Sequence, residues 1–237
     1  MSKHVLLLAS NPATSPVTGW PIGFWWAELS HSAHAFMEAG YDVTIASPEG
    51  GDLEADGWSD PEHESGYSAG DLISWGYKHS PVTKDTIKAT PKLSTLNMDD
   101  YDAIFVAGGQ GPMVTMIDDT AVHETLAAFH ATGKPLCLVC HATCMLLKIK
   151  DANGDLLVKG KTWTGFADSE ERYAEHAAGQ KIQPFWIETE ARKIEDTNFI
   201  VGGHLVSFAV RDGNLITGQQ QVSAAVAAAK VIEALGR

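Results

Sequence analysis

Pro135-Leu136-Cys137-Leu138-Val139-Cys140-His141 is an apolar run that stops at a thiol. Continuous rather than alternating apolarity suits a strand buried on both faces, as in a parallel sheet covered by helices. The spacing predicts a helix from about residue 141, which puts Cys140 at the carboxyl end of the strand. In open α/β sheets ligands bind outside those ends. A sharp strand-to-helix turn lifts a nucleophile above the sheet edge, and a helix N-terminus behind a thiol lowers its pKa. His141 follows directly, placed to act as base or orienter, with its backbone N–H open to an oxyanion. The plain reading stands beside this one, because cysteine is also a small, commonly buried hydrophobe. Position alone leaves Cys140 open between the two. Cys137, mid-strand, and Cys144, one helical turn beyond Cys140, read as structural.

Outward from this run the same grammar repeats. Residues 4–9 form a second continuous apolar run, residues 22–39 read as a helix closed by Gly40, and residues 42–47 as a strand. Strand, helix, strand is a βαβ unit and implies a parallel sheet. Residues 103–107 form a strand that runs into Gly108-Gly109-Gln110-Gly111, and Thr120 caps a helix through residue 130. Later come a short strand at 162–165, helices at 169–178 and 184–192, and a strand at 205–210. A turn at 211–214 leads to a strand at 215–218 and a closing helix at 223–235. The pattern predicts a three-layer α/β/α sandwich with a mostly parallel, flavodoxin-like central sheet. One domain spanning 1–237 is expected, with an irregular insertion at about 48–100, where Pro, Gly, Asp and Ser are frequent.

Composition limits the partners. The 237 residues are 44% apolar and 20% charged, ordinary for a globular protein, and carry a net charge of −13. That balance argues against nucleic acid and anionic membrane surfaces, which call for a basic patch. No apolar stretch approaches the ~20 residues that span a bilayer, and the first apolar run is too short for a secretory signal. Three clustered cysteines make a poor disulfide framework, so a reducing cytoplasm is expected. Cys137 and Cys140 match C-x-x-C. A spacing of three within a strand, however, puts the side chains on opposite faces, which suits neither a redox pair nor zinc. There is no G-x-G-x-x-G after the first strand and no complete G-x-x-x-x-G-K-[ST], so nucleotide cofactors find no support. His31, with His34 or Glu28, is the one metal candidate, and the structural reading of exposed helix histidines is preferred.

Three segments together change the reading: Ala107-Gly108-Gly109-Gln110-Gly111 after a strand, Val139-Cys140-His141-Ala142 at the elbow, and Leu215-Ile216-Thr217-Gly218 late in the chain. Their order resembles the ThiJ/PfpI superfamily over nearly the whole chain. Gly23-Phe24-Trp25-Trp26-Ala27-Glu28-Leu29-Ser30-His31 and Thr164-Gly165-Phe166-Ala167-Asp168-Ser169-Glu170-Glu171 are similar to its heat-shock chaperone and glyoxalase III branch. The resemblance implies a cofactor-free, metal-free enzyme acting on small reactive carbonyls, by glyoxalase III-type conversion of methylglyoxal to lactate or by deglycation. It implies Cys140 as nucleophile, His141 as its partner, and Glu171 as the acid behind His141, with Glu170 or Asp168 as alternatives. It further implies Glu28 as a carboxyl beside the sulfur, and Gly108, Gly109 and Gln110 as an oxyanion and substrate loop with the His141 N–H. A homodimer is expected on the same ground. A C–N hydrolase or hydratase using the same thiol, and a holdase chaperone or redox sensor, remain as rival readings. The chain departs from the branch at Gln110 (usually His), at Ala142-Thr143 (usually Gly-Pro) and at residues 219–223 (usually Asn-Pro-x-Ser), positions expected to line the pocket.

Overall fold

The apolar runs become neighbouring strands of one sheet. The structure, a computed structural model, describes residues 2–236; Met1 and Arg237, the ends of the expected domain, lie outside the described residues. The strands are β1 (His4–Leu8), β2 (Asp42–Ala46), β3 (Ala103–Val106), β4 (Leu136–Val139), β5 (Ala209–Asp212) and β6 (Leu215–Gly218), in the order β2-β1-β3-β4-β6-β5. All neighbours run parallel except β5, which pairs antiparallel with β6 at the edge. The register aligns Ile45, Leu7, Phe105, Cys137 and Ile216 in one row across the five parallel strands. Every residue of that row is buried.

Helices cover both faces, which is why these strands read as apolar throughout. The chain steps from β1 to β2 through α1 (Trp26–Glu38), and in the opposite direction from β3 to β4 through α3 (Thr120–Ala131). Right-handed crossovers in opposite directions put the two helices on opposite faces. The Ala-rich closing helix α6 (Ala224–Ala234) packs beside α1. The remaining helices are α2 (Leu72–His79), α4 (Asp168–Ala178) and α5 (Ile187–Ala191). None of the described helices is long and apolar enough to cross a membrane.

Several boundaries differ from the sequence pattern. Residues 22–25 do not begin the first helix: Pro21–Ile22 pairs with Ala13–Thr14, and Phe24 bridges Ala55. The apolar stretch at 205–210 is mostly a half-exposed loop, and only its end joins β5, which extends through Asp212 to pair with β6. The expected strand at 162–165 is reduced to Thr162–Trp163, parallel to Asn198–Phe199. After β4 the chain enters a tight 3-10 helical segment, Cys140–Leu147, rather than an α-helix.

The 48–100 excursion folds back on the sheet end. Isolated bridges join Ser47 to Lys92 and Gly51 to Thr90, and a turn at Gly57–Ser59 precedes α2. This return brings Asp56, Trp58 and Tyr67 over the carboxyl ends of β3 and β4.

Candidate active site

Cys140 sits at the junction of β4 and the 3-10 segment with φ +58°, a left-handed conformation that L-residues other than Gly, Asn and Asp seldom adopt. Strain of this kind persists where the surroundings over-determine it. The turn holds the sulfur in a buried position beneath an open cleft, and Thr143 Oγ1 donates to the Cys140 carbonyl at 2.6 Å. Cys140 Sγ lies 3.3 Å from His141 Nδ1, and His141 Nε2 lies 2.8 Å from Glu171 Oε1. Glu171 projects from the first turn of α4 and is buried. With its Nε2–H donated to that carboxylate, the neutral imidazole presents Nδ1 as an acceptor toward the thiol.

The neighbouring acids have other work. Glu170 accepts the Leu205 amide at 3.0 Å and the Gln219 side-chain amide at 2.9 Å. Asp168 accepts from Thr189. Of the three candidates only Glu171 reaches His141.

Glu28 arrives from the first turn of α1. It is fully buried; Oε2 accepts the Gly108 amide at 2.6 Å, and the carboxyl interacts with the Cys140 thiol. Burial pushes its pKa up to about 8, against the lowering effects of the thiol and the Gly108 amide. The carboxyl is therefore protonated at neutral pH. Asp56 is equally buried, and burial raises it to about 7, although it accepts the Gly23 amide at 2.9 Å and the Gln110 amide at 2.6 Å.

The thiol departs from the expectation of a lowered pKa. Burial, and then Glu28, raise Cys140 well above the ordinary cysteine value, while the backbone N–H groups of His141 and Gly109 pull the other way. At this buried position desolvation outweighs those N–H groups. Burial alone would lower His141, but Glu171 outweighs it and raises the imidazole above its usual value. Cys140 thus rests as a thiol with a base in contact, and is activated by proton transfer rather than standing ionised.

The loop after β3 completes the floor. Gly109 has φ +92°, and a Cβ there would meet the Gly23 carbonyl and Trp25 nitrogen within 2.7 Å. Only glycine lets this loop pass so close to the Gly23–Trp25 strip. Above the sulfur, Trp20, Trp25, Trp58, Tyr67, Phe166 and Tyr173 wall a cleft with about 690 Å³ of empty space, its open mouth included. Phe166 stacks on His141 at 4.0 Å, and Trp58 on Tyr67 at 5.9 Å. Among the described residues, no Lys or Arg lines the cleft.

Of the positions where the chain departs from the branch pattern, Gln110 and Gln221 line the cleft. Thr143, Gln219 and Gln220 do not: they are buried in hydrogen bonds to Cys140, Gly202, Glu170 and Val206. His31 engages Asp71 at 2.8 Å, while Glu28 is turned into the Cys140 site and His34 is exposed. No metal-binding group of three or more such ligands exists among the described residues. Cys137 and Cys144 are buried and unpaired, and burial raises both thiols. Asp56, Trp58 and Tyr67 carry no local sequence signal, and only the return of the excursion brings them to the cleft.

A mostly parallel sheet with a strained thiol at a strand end, a histidine against it and a carboxylate behind the histidine defines the class of α/β proteins built around a strand-end cysteine. Within that class the chain belongs to the DJ-1/PfpI family, whose pattern matches residues 23–234. It is similar to glyoxalase 3 of Candida albicans, 27% identical over 99% of this chain and 98% of that protein. It is also similar to the glutathione-independent glyoxalase HSP31 of Saccharomyces cerevisiae, 26% identical over 98% of each. The crystal structure of glyoxalase III from Candida albicans superposes with a TM-score of 0.78 and 26% identity, over 98% of this chain and 97% of that one.

Proposed function

We propose that the protein is a glutathione-independent glyoxalase that converts small α-oxoaldehydes such as methylglyoxal to the 2-hydroxy acid, with Cys140 as nucleophile. The contact chain Cys140–His141–Glu171, with a protonated Glu28 beside the sulfur, carries this reading. The similarity to proteins named glyoxalases over nearly their full length supports it.

The residues suit each step. As the sulfur bonds to the aldehyde carbon, the thiol proton passes to His141 Nδ1, and the new oxyanion faces the N–H groups of Gly109 and His141. The oxyanion takes a proton to give the hemithioacetal. His141, neutral again once it has passed its proton to the oxyanion, removes the proton from the former aldehyde carbon, while protonated Glu28 stands beside the sulfur as a donor. Protonation at the adjacent carbon then gives a thioester. Water cleaves the thioester, releasing the hydroxy acid and restoring the thiol. No electrons are exchanged with an outside partner. The free thiols favour residence in the cytoplasm, and a homodimer is part of the same proposal.

The test is lactate formation from methylglyoxal without glutathione. Wild-type activity that vanishes in Cys140→Ala supports the proposal; an inactive wild type, or an active Cys140→Ala, rejects it. Turnover of isonitriles or amides in place of methylglyoxal would favour the C–N hydrolase reading of the same thiol.

A further inference from the structure

Four consecutive backbone amides follow β3, at Gly108, Gly109, Gln110 and Gly111. Three of them are taken. Gly108 N–H donates to Glu28 Oε2 at 2.6 Å, Gln110 N–H to Asp56 Oδ2 at 2.6 Å, and Gly111 N–H to the Gly23 carbonyl at 2.9 Å. Only the Gly109 N–H is left, and it is directed at the Cys140 sulfur. The two carboxyls gripping the loop come from different parts of the chain: Glu28 from α1, and Asp56 from the excursion that folds back over the sheet end.

Asp56 also joins the loop to its support. Its other oxygen, Oδ1, accepts the Gly23 N–H at 2.9 Å, so one carboxyl bridges the Gly23 strip to the Gln110 peptide. The strip is tied back by Phe24, whose carbonyl accepts the Asp56 N–H at 2.8 Å. Trp25 N–H donates to the Gly108 carbonyl at 3.2 Å. Asp56 is 1% exposed. A buried carboxyl is costly, and a structural hydrogen bond alone is met as well by Asn or Ser. What the site asks for is two acceptor oxygens on one rigid fork, each facing an N–H donor. Asn supplies one oxygen and would turn an NH₂ group toward a second donor.

We propose that Asp56 is a positioning residue for the oxyanion site: by clamping Gln110 to Gly23 it leaves the Gly109 N–H, alone in its loop, aimed at an oxyanion formed on Cys140. Asp56 acts through the loop. The inference rests on the glyoxalase reading for its kinetic consequence, but its structural content stands apart from that reading.

The experiment pairs kinetics with amide exchange. In Asp56→Asn, kcat for methylglyoxal is expected to fall about tenfold to a hundredfold, in line with misaiming of one oxyanion donor, with KM within about threefold. By NMR, the Gln110 amide is expected to exchange at least about tenfold faster than in wild type, while the amides of β3 keep their protection. A kcat within about twofold of wild type overturns the proposal. So does an unchanged Gln110 amide, or equal loss of protection across β3, which would mark a general loss of fold. If Asp56→Asn does not fold, the wild-type spectrum decides: the Gln110 amide must exchange slowly and resonate downfield, as a 2.6 Å bond to a carboxyl oxygen requires, and a freely exchanging Gln110 amide overturns the proposal. If wild type proves inactive on methylglyoxal, the glyoxalase reading falls, and the exchange measurements still decide the role of Asp56.

Discussion

Glu171 Oε1 stands 2.8 Å from His141 Nε2, both groups buried, with the other ring nitrogen, Nδ1, 3.3 Å from the Cys140 sulfur. This contact fixes the tautomer and stabilises the imidazolium that forms when the thiol gives up its proton. Glu171→Gln keeps the shape and removes the charge. We expect kcat/KM to fall roughly a hundredfold, the scale of general acid–base catalysis. The carboxylate raises the His141 pKa, and His141 must be neutral to accept the thiol proton. The acid limb of the pH profile should therefore move to lower pH in Glu171→Gln. An unmoved limb would show that another group receives the proton.

The alkaline limb belongs to Glu28. Its carboxyl, at about 8, holds its proton in the neutral range and loses it above that pH, where a carboxylate would face the sulfur. Activity should fall as pH rises through about 8. Glu28→Gln, which cannot ionise, should be slower at pH 7 and should lack this limb. A limb of the same midpoint in Glu28→Gln would remove Glu28 from the scheme.

Glu28 and Asp56 also shape stability, and the sign follows from their raised values. Both bind the proton more tightly when folded, from ordinary values of 4.5 and 3.8 to about 8 and about 7. Their contribution is fully present below the ordinary values and is lost as pH rises toward the folded ones. Melting temperature should therefore decline between pH 5 and 8, and decline less in Glu28→Gln, by about 5 °C or more given the size of the chain. Parallel thermal melts of the two proteins that keep a constant offset would contradict the assignment.

Substrate charge should matter. Among the described residues the cleft is lined by Asp56, Glu170 and Glu171 and by no Lys or Arg. An anionic aldehyde such as glyoxylate should be turned over at least about tenfold less efficiently than methylglyoxal, because burying a carboxylate there leaves it unpaired. Equal kcat/KM for the two would mean that the cleft is not where substrate binds.

The strands were legible because burial on both faces writes itself as an unbroken apolar run, as in Leu136–Val139. Gly108-Gly109-Gln110-Gly111 and Cys140-His141 stood out because each follows an apolar run at a strand end; Glu171 came only from the family resemblance, with Glu170 and Asp168 open beside it, because three acids in one helical turn carry no local signal of which is buried. The start of α1 was not: Gly23, Phe24 and Trp25 are as apolar as the helix that follows, and what makes them extended is pairing with a distant segment, Phe24 with Ala55. The 205–210 run misled for the opposite reason, because at a sheet edge pairing with β6 decides the strand, not apolarity. Asp56 could not be read at all. An aspartate in a stretch rich in Asp, Gly and Ser has the signature of a solvated turn, and its burial arises only when the excursion closes on the Gly23 strip.

The most direct test is to find the covalent intermediate. Methylglyoxal mixed with the enzyme and acid-quenched within the first turnover should leave one substrate's mass on the peptide carrying Cys140. Cys140→Ala should show no adduct, leaving Cys137 and Cys144 unmodified. An adduct on another cysteine, or lactate released at the wild-type rate by Cys140→Ala, would contradict a mechanism built on the strand-end thiol.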